Sequence, residues 1–174
     1  MEKHKTCSFF GHRKINLTDD LRQKVSEAIE NLIIKYNIQI FLFGSKSEFN
    51  DLCHFIVSEL KDKYPYIKRI FYTCKSESCT LEKERQELEK VYSRYINQEF
   101  HLLGFEEEFE HKTKYNAGRA SYIERNQAMI DDSEYCLFYY NEKYVPPTKT
   151  NSGTKIAYEY ARRKNKKITN LFNN

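Results

Sequence analysis

The sequence predicts a single doubly wound α/β domain over residues 1–174, with a mainly parallel sheet flanked by helices. Short strand-like runs alternate along the chain with longer stretches of helical periodicity. Several of these runs are apolar throughout, which is typical of a parallel sheet that is covered on both faces. No internal repeat or low-complexity linker divides the chain, and 174 residues suffice to bury one core without disulfide or metal staples.

The first half of the chain contains three predicted strands and two predicted helices. The strands are the apolar runs at residues 7–10, 38–43 and 67–74. After the first strand, Thr18 has the character of an N-cap, because Asp19 and Asp20 follow it in the first helical turn. Apolar residues then recur at helical spacing as far as Tyr36. The second amphipathic helix ends near Pro65, because the residue before a proline resists helical geometry.

The second half is less regular. Residues 80–97 are charged and helix-forming, and residues 98–116 are interpreted as an irregular connection, either a flap over a site or a plain surface excursion. The stretch Ser121-Tyr122-Ile123-Glu124 has the form of a capping box and predicts the start of a helix. The remaining predicted elements are a strand at 135–140, a helix from Thr154 to about Lys164 and a closing strand at 167–172.

Composition limits the classes of partner. The net charge is +4, from 29 basic and 25 acidic residues, which is too weak and too mixed to indicate a nucleic-acid partner. The densest basic run, residues 162–167, falls at a predicted helix C-terminus, where cations complement the helix dipole. An RNA- or membrane-binding patch is the less favoured interpretation of that run. No apolar stretch reaches the length of a membrane span, so no membrane partner is expected.

The five cysteines indicate a reducing compartment. Cys7 and Cys136 lie in apolar strand-like runs and Cys53 in a helical pattern, which is typical of buried thiols. Cys74 and Cys79 have neither a CxxC spacing nor a paired histidine. The sequence therefore predicts a cytoplasmic protein with no metal site and no cofactor.

Three glycine-containing segments follow predicted strands. They are Gly11-His12-Arg13, Gly44-Ser45-Lys46-Ser47-Glu48 and Asn151-Ser152-Gly153-Thr154. Ligands of open parallel sheets bind at the carboxyl ends of the strands, and glycine permits close approach of the backbone to a ligand. There is no GxGxxG and no GxxxxGK[ST] motif. The pattern favours a nucleotide- or phosphate-sized ligand, a monophosphate or a nucleotide-derived signal rather than a triphosphate.

The last segment lies where a predicted helix begins. A helix N-terminus offers unpaired N–H groups and a partial positive charge, which suit a phosphate. The alternative interpretation is that Ser152 or Thr154 only caps the helix.

These segments resemble a known family. The stretches CSFFGHRK (7–14), FLFGSKSEFNDL (41–52), ERNQAMIDDSEYCLFYYN (124–141) and NSGTKIAYEYARRKNKKI (151–168) carry the resemblance. In order and spacing they resemble the YpsA-like branch of the SLOG superfamily, whose members are Rossmann-like nucleotide-binding proteins. The resemblance covers the chain except for roughly residues 75–115. It implies a nucleotide or nucleotide-derived ligand and a homo-oligomer.

The chain also resembles, more distantly, the LOG-type phosphoribohydrolases, which release a free base from a nucleoside monophosphate. Arg125 stands where that family has an arginine, and Gly153-Thr154 where it has a Gly-Thr pair. Its Pro-Gly-Gly is absent here, and Ala157 or Tyr158 stands where the family has a glutamate. A glycosidic hydrolase needs a carboxylate at its transition state.

Two hypotheses follow. In the first, the protein is a sensor or sequestering protein that holds a phosphate on the N–H groups of Gly153 and Thr154, with the nearby hydroxyls and Arg125 or Arg13 as partners. Gly11 and Gly44 would then let the backbone approach the ribose or base. The predicted ligand-binding residues are Gly11, His12, Arg13, Gly44, Ser45, Glu48, Arg125, Asn126, Ser152, Gly153 and Thr154.

In the second hypothesis the protein is an enzyme that cleaves or transfers at an N-glycosidic bond. Glu48 and Arg125 are its candidate catalytic residues, and His12 is a candidate general acid or base. A helix-terminal charge is the alternative interpretation of Glu48, and a structural histidine that of His12. A pure interaction protein with a vestigial pocket is a third interpretation.

Overall fold

A computed structural model describes residues 2–74, 104–115, 118–144, 146 and 151–172. Its centre is one six-stranded sheet in which every pair of neighbouring strands is parallel. The strands are β1 (Thr6–Gly11), β2 (Ile40–Phe43), β3 (Lys68–Cys74), β4 (Glu107–His111), β5 (Tyr135–Tyr139) and β6 (Lys167–Asn170). Their order across the sheet is β4-β3-β2-β1-β5-β6.

Helices cover both faces of this sheet. They are α1 (Asp19–Tyr36), α2 (Glu48–Lys63), α3 (Arg119–Asp131) and α4 (Gly153–Arg163). Phe9 of β1 belongs to the apolar cluster under α1 and α2, whereas Phe10 belongs to the cluster under α3 and α4. Neighbouring residues of a strand point to opposite faces, so one strand supplies both clusters. The predicted doubly wound α/β fold is confirmed.

The predicted first half agrees closely with the structure. The Thr18 hydroxyl accepts a hydrogen bond from the Leu21 N–H at 3.1 Å, so Thr18 is the N-cap of α1. Helix α1 ends at Tyr36, and α2 ends at Lys63, two residues before Pro65.

The cysteines in the described segments are buried and form no disulfides; they are Cys7, Cys53, Cys74 and Cys136. Burial raises the pKa of the Cys7 and Cys53 thiols, which keeps them protonated and unreactive.

The interpretation of residues 98–116 as an irregular connection is wrong for residues 107–111. These residues form β4, which pairs with β3 in the register Ile70↔Glu107 to Cys74↔His111. The strand lies at the edge of the sheet, and its residues are exposed apart from the half-buried His111. Charged side chains are a common way to blunt a sheet edge, so β4 lacks the apolar pattern that reveals an inner strand.

The predicted capping box at Ser121 is also wrong. Helix α3 begins two residues earlier, at Arg119, and its N-cap is Gly118 with a φ of 84°. The Ser121 hydroxyl donates to the Gly118 carbonyl at 2.7 Å, and the Glu124 carboxylate accepts from the Lys114 N–H at 2.7 Å. Glycine adopts this positive φ without steric strain, so the helix begins after Gly118 and not at the expected cap Ser121.

The predicted helix at residues 80–97 and Cys79 lie outside the described residues. Among the described helices, none is both long enough and apolar enough to cross a membrane.

The strand order reverses direction at β1. From β1 the chain proceeds outward through β2, β3 and β4, and it returns to the other side of β1 with β5 and then β6. The loops that leave the carboxyl ends of β1 and β5 therefore diverge and open a crevice. Such a switch point is where open α/β sheets bind their ligands.

Candidate functional site

A cleft with a volume of about 1010 Å³ opens at the switch point. The carboxyl ends of β1, β2 and β5, the N-terminus of α4 and one side of α3 line it. Ten of the eleven residues predicted as ligand-binding lie in the lining, and the eleventh, Glu48, does not. Parallel strands place their carboxyl ends at one edge of the sheet, which brings residues from distant parts of the chain together.

The charge of the lining is one-sided. It contains five cationic side chains, those of Arg13, Lys14, Lys46, Arg119 and Arg125, whereas no Asp or Glu belongs to it among the described residues. The Lys14 ammonium pairs with the Glu48 carboxylate, which lies outside the lining, at 2.6 Å. A concave surface of one charge sign concentrates ligands of the opposite sign. The cleft therefore suits an anion.

Gly11 joins the N-termini of two helices. Its carbonyl accepts hydrogen bonds from the hydroxyl of Ser47, the N-cap of α2, at 3.2 Å and from that of Thr154, in the first turn of α4, at 2.9 Å. A Cβ atom on Gly11 would lie 2.4 Å from the Cβ of Phe49. The glycine is thus required by packing against α2, and the expected close approach to a ligand is not needed to explain it.

The hydroxyl of Thr154 is a structural group, since it donates to Gly11 and the residue is only 8% exposed. We expect Thr154→Val to lower the free energy of unfolding by about 1–2 kcal/mol, because the half-buried Gly11 carbonyl loses one of its donors. Urea denaturation measures the change. Thr154→Ser, which keeps the hydroxyl, is the control, and an equal loss in both variants would contradict this role.

Gly44 makes room for Arg125. A Cβ atom at Gly44 would lie 3.0 Å from the guanidinium carbon of Arg125. Arg125 is 2% exposed and donates from Nη1 to the Tyr72 carbonyl at 3.1 Å and to the Ser45 hydroxyl at 3.3 Å. Its Nε donates to Asn126 Oδ1 at 3.1 Å. These contacts hold a buried cation in the wall of the cleft.

The N-terminus of α4 bears on both interpretations of the 151–154 segment. Ser152 is the N-cap, because its hydroxyl accepts from the Lys155 N–H at 3.0 Å. Among the described residues, none accepts a hydrogen bond from the N–H of Gly153 or Thr154. A Cβ at Gly153 would meet no atom within 4 Å, so no described neighbour requires glycine there. Two backbone donors and an uncrowded approach thus remain beside the cap.

His12 holds a loop in place. Its Nε2 accepts a hydrogen bond from the Asn141 N–H at 2.9 Å, so this nitrogen carries no proton. Burial lowers the pKa of His12, which agrees with a neutral ring. Because an amide donor occupies the lone pair of Nε2, a general acid or base at that atom would first have to break this bond. The contact favours the structural interpretation of His12.

Glu48 holds the loop that follows β1. Its Oε1 accepts from the Lys14 ammonium and its Oε2 from the Ile15 N–H at 2.9 Å. The hydrogen bond from Lys14, followed by that from Ile15, lowers the pKa of the carboxyl. The N–H of Glu48 donates to the Arg13 carbonyl at 3.1 Å. The carboxylate and the N–H of Glu48, in the first turn of α2, therefore have hydrogen-bond partners within the protein.

The cleft also contains residues that the sequence-based prediction missed. Arg119, Tyr122 and Ile123 lie on the same side of α3 as Asn126, at the spacing of one helical face. That spacing would have revealed them if the start of α3 had been placed at Arg119. The other missed residues are Lys14, Ile15, Asn16, Lys46, Ser47, Asn50, Tyr139, Asn141, Tyr144, Pro146, Asn151 and Phe172, with Phe10 at the end of β1.

No family model and no curated protein matches this chain. Its function is therefore inferred from the cleft itself.

Proposed function

We propose that the protein binds a nucleotide or a nucleotide-derived phosphate ester in the switch-point cleft and acts as a sensor or sequestering protein. The observation that carries the proposal is the excess of cationic side chains in the lining, with no acidic side chain among its described residues. Guanidinium groups and helix N-termini both favour phosphate oxygens over water. The N–H groups of Gly153 and Thr154 supply donors at the same cleft.

The aromatic side chains of the cleft favour a nucleotide over a simple inorganic anion. Phe10, Tyr122, Tyr139, Tyr144 and Phe172 line it together with the cations. A ligand that carries both a phosphate and a flat ring complements such a mixed surface.

Binding is favoured over cleavage because of the position of Glu48. An N-glycosidic hydrolase places a carboxylate against the reacting sugar carbon. Glu48, the candidate for that role, lies outside the lining, and Lys14 and Ile15 engage both of its oxygens. The arrangement supports a ligand that stays intact.

The proposal is tested by incubating the purified protein with nucleoside monophosphates and cyclic nucleotides. Gel filtration then separates the protein-retained fraction from the free fraction, and mass spectrometry identifies the contents of both. We expect an intact ligand in the retained fraction and thermal stabilisation of the protein by the same compound. Free base would instead establish the hydrolase. Retention of no compound, together with no stabilisation, would overturn the proposal.

Charge in the cleft should control affinity. We expect Arg125→Gln to weaken binding of the retained nucleotide about 10- to 100-fold, since a hydrogen bond to a charged group contributes about 1.5–3 kcal/mol. Isothermal titration calorimetry measures the change. Because Arg125 is buried, the exposed cleft residue Arg13 provides a second variant, Arg13→Gln, that leaves the core intact.

Arg22→Gln is the matched control, because Arg22 lies on α1 and pairs with Glu59 outside the cleft. Wild-type affinity in both cleft variants would contradict the proposed role of the cationic lining. An equal loss of affinity in the Arg22 variant would point to general electrostatics instead of the cleft.

A further inference from the structure

The ring of Tyr144 lines the cleft and is packed against the ring of His12. Tyr144 lines the cleft with 46% of its surface exposed, and its ring packs against the His12 imidazole with the centroids 4.7 Å apart. The Tyr140 ring approaches the same imidazole at 6.0 Å. An aromatic side chain that packs against protein and is also partly exposed offers a surface on which a second flat ring can stack.

Hydrogen bonds fix the position of this support. The N–H of Asn141 donates to His12 Nε2 at 2.9 Å, and the carbonyl of Asn141 accepts from the Tyr144 N–H at 3.1 Å. The Asn141 side chain accepts from the Lys143 N–H at 2.9 Å, which closes the turn. Tyr144 is therefore positioned before any ligand arrives, and little conformational entropy is lost when its ring is covered.

Tyr122, a second tyrosine of the lining, has a different role. The Lys46 ammonium lies 5.1 Å and the Arg125 guanidinium carbon 5.5 Å from the centre of its ring. Its π-system thus orients two of the cations of the cleft. Tyr144, in contrast, packs against the neutral imidazole of His12, whereas Tyr122 contacts two cations.

We infer that Tyr144, supported by His12, is the stacking residue for an aromatic base, so the ligand of the cleft is a base-bearing phosphate ester and not a sugar phosphate. The inference rests on the proposed function and specifies the ligand class of the same site. Stacking of a base on an aromatic side chain is sequence-tolerant, because each base has a π-face. Tyr144 therefore sets the preference for a base, while the cations hold the phosphate.

The test is titration calorimetry with AMP, GMP, CMP and UMP, and with ribose 5-phosphate as the base-free probe. We expect wild-type protein to bind at least one nucleotide more tightly than ribose 5-phosphate. Tyr144→Ala should weaken that nucleotide by roughly 5- to 100-fold and leave the affinity for ribose 5-phosphate unchanged. Tyr144→Phe, which keeps the ring, should retain the affinity for the nucleotide.

Tyr66→Ala is the control, because Tyr66 is 53% exposed and precedes β3. It therefore lies at the amino ends of the strands, opposite the cleft. Equal losses for nucleotide and ribose 5-phosphate in Tyr144→Ala, or no loss for either, would overturn the inference and leave phosphate binding intact. Equal binding of all five probes by wild-type protein would likewise overturn the inference about Tyr144 and leave phosphate binding intact. Binding of none of them, together with no retention and no thermal stabilisation by any nucleoside monophosphate or cyclic nucleotide, would refute the proposed function itself.

Discussion

Replacing Glu106 by glutamine is expected to lower the free energy of unfolding by about 3 kcal/mol at pH 7, because it removes a counter-charge that forms three hydrogen bonds with a buried arginine. Arg69 is 4% exposed, and its Nη2 donates to Glu106 Oε1 at 2.8 Å. The N–H and Nε of Arg69 donate to Oε2 at 2.6 Å and 3.2 Å. Equilibrium urea denaturation at pH 7 measures the loss.

The same pair predicts a pH signature. Burial alone would raise the pKa of Glu106, but the hydrogen bonds and charge of Arg69 outweigh it and bring the pKa to about 2. A folded-state pKa below the unfolded value of about 4.5 means that the stabilisation is present above pH 4.5 and is lost as the pH falls toward 2. Glu106 should contribute a loss of about 3 kcal/mol over this window, and the acid dependence of Glu106→Gln should be shallower by that amount.

Glu107→Gln is the matched control, since its carboxylate pairs with Lys68 at 3.3 Å on an exposed surface. Exposed pairs contribute little, so we expect a change within about 0.5 kcal/mol. If Glu106→Gln were no more destabilising than Glu107→Gln, the Arg69–Glu106 pair would not anchor β4 to β3 as the structure indicates.

Gly11→Ala is expected to lower the free energy of unfolding by about 3 kcal/mol through overpacking. The new Cβ would lie 2.4 Å from the Phe49 Cβ and 2.6 Å from two of its ring atoms, and Phe49 is fully buried. The end of β1 cannot move aside without straining the hydrogen bonds that the Gly11 carbonyl accepts from Ser47 and Thr154. Urea denaturation should show a lower midpoint with an unchanged slope.

Two further variants sharpen this prediction. Phe49→Leu should not rescue Gly11→Ala, because leucine keeps the Cβ that makes the closest contact. Gly153→Ala should leave stability unchanged or raise it by up to about 1 kcal/mol, since its Cβ would meet no atom within 4 Å and alanine loses less backbone entropy on folding. Equal effects at Gly11 and Gly153 would show that the contact with Phe49 does not determine the residue at position 11.

Features that the prediction placed correctly are local in the chain. The Thr18 cap of α1, the apolar strands and the stop of α2 before Pro65 each depend on residues a few positions apart. Alternation of strands and helices then implies a parallel sheet, which by itself collects the ends of β1, β2 and β5 at one edge. This is why most of the predicted site residues line one cleft.

Features that the prediction missed depend on pairing between distant segments. Strand β4 is stabilised by backbone pairing with β3, whereas its own charged sequence lacks the apolar pattern of a strand. The carboxylate of Glu48 accepts hydrogen bonds from Lys14 and Ile15, which lie 34 and 33 positions away in the sequence. It is therefore not available to the cleft.

The sequence by itself determined the α/β class and the choice of loops that border the cleft, since periodicity and the alternation of strands and helices suffice for these. The strand order that places the switch point at β1 is known only from the tertiary structure. Only the tertiary structure decided why each glycine is there. Gly11 accommodates Phe49 and Gly44 accommodates Arg125, whereas Gly153 faces open space beside two N–H groups for which no described residue is an acceptor. In the sequence these glycines look alike, because the atoms that distinguish them belong to residues brought close only by folding.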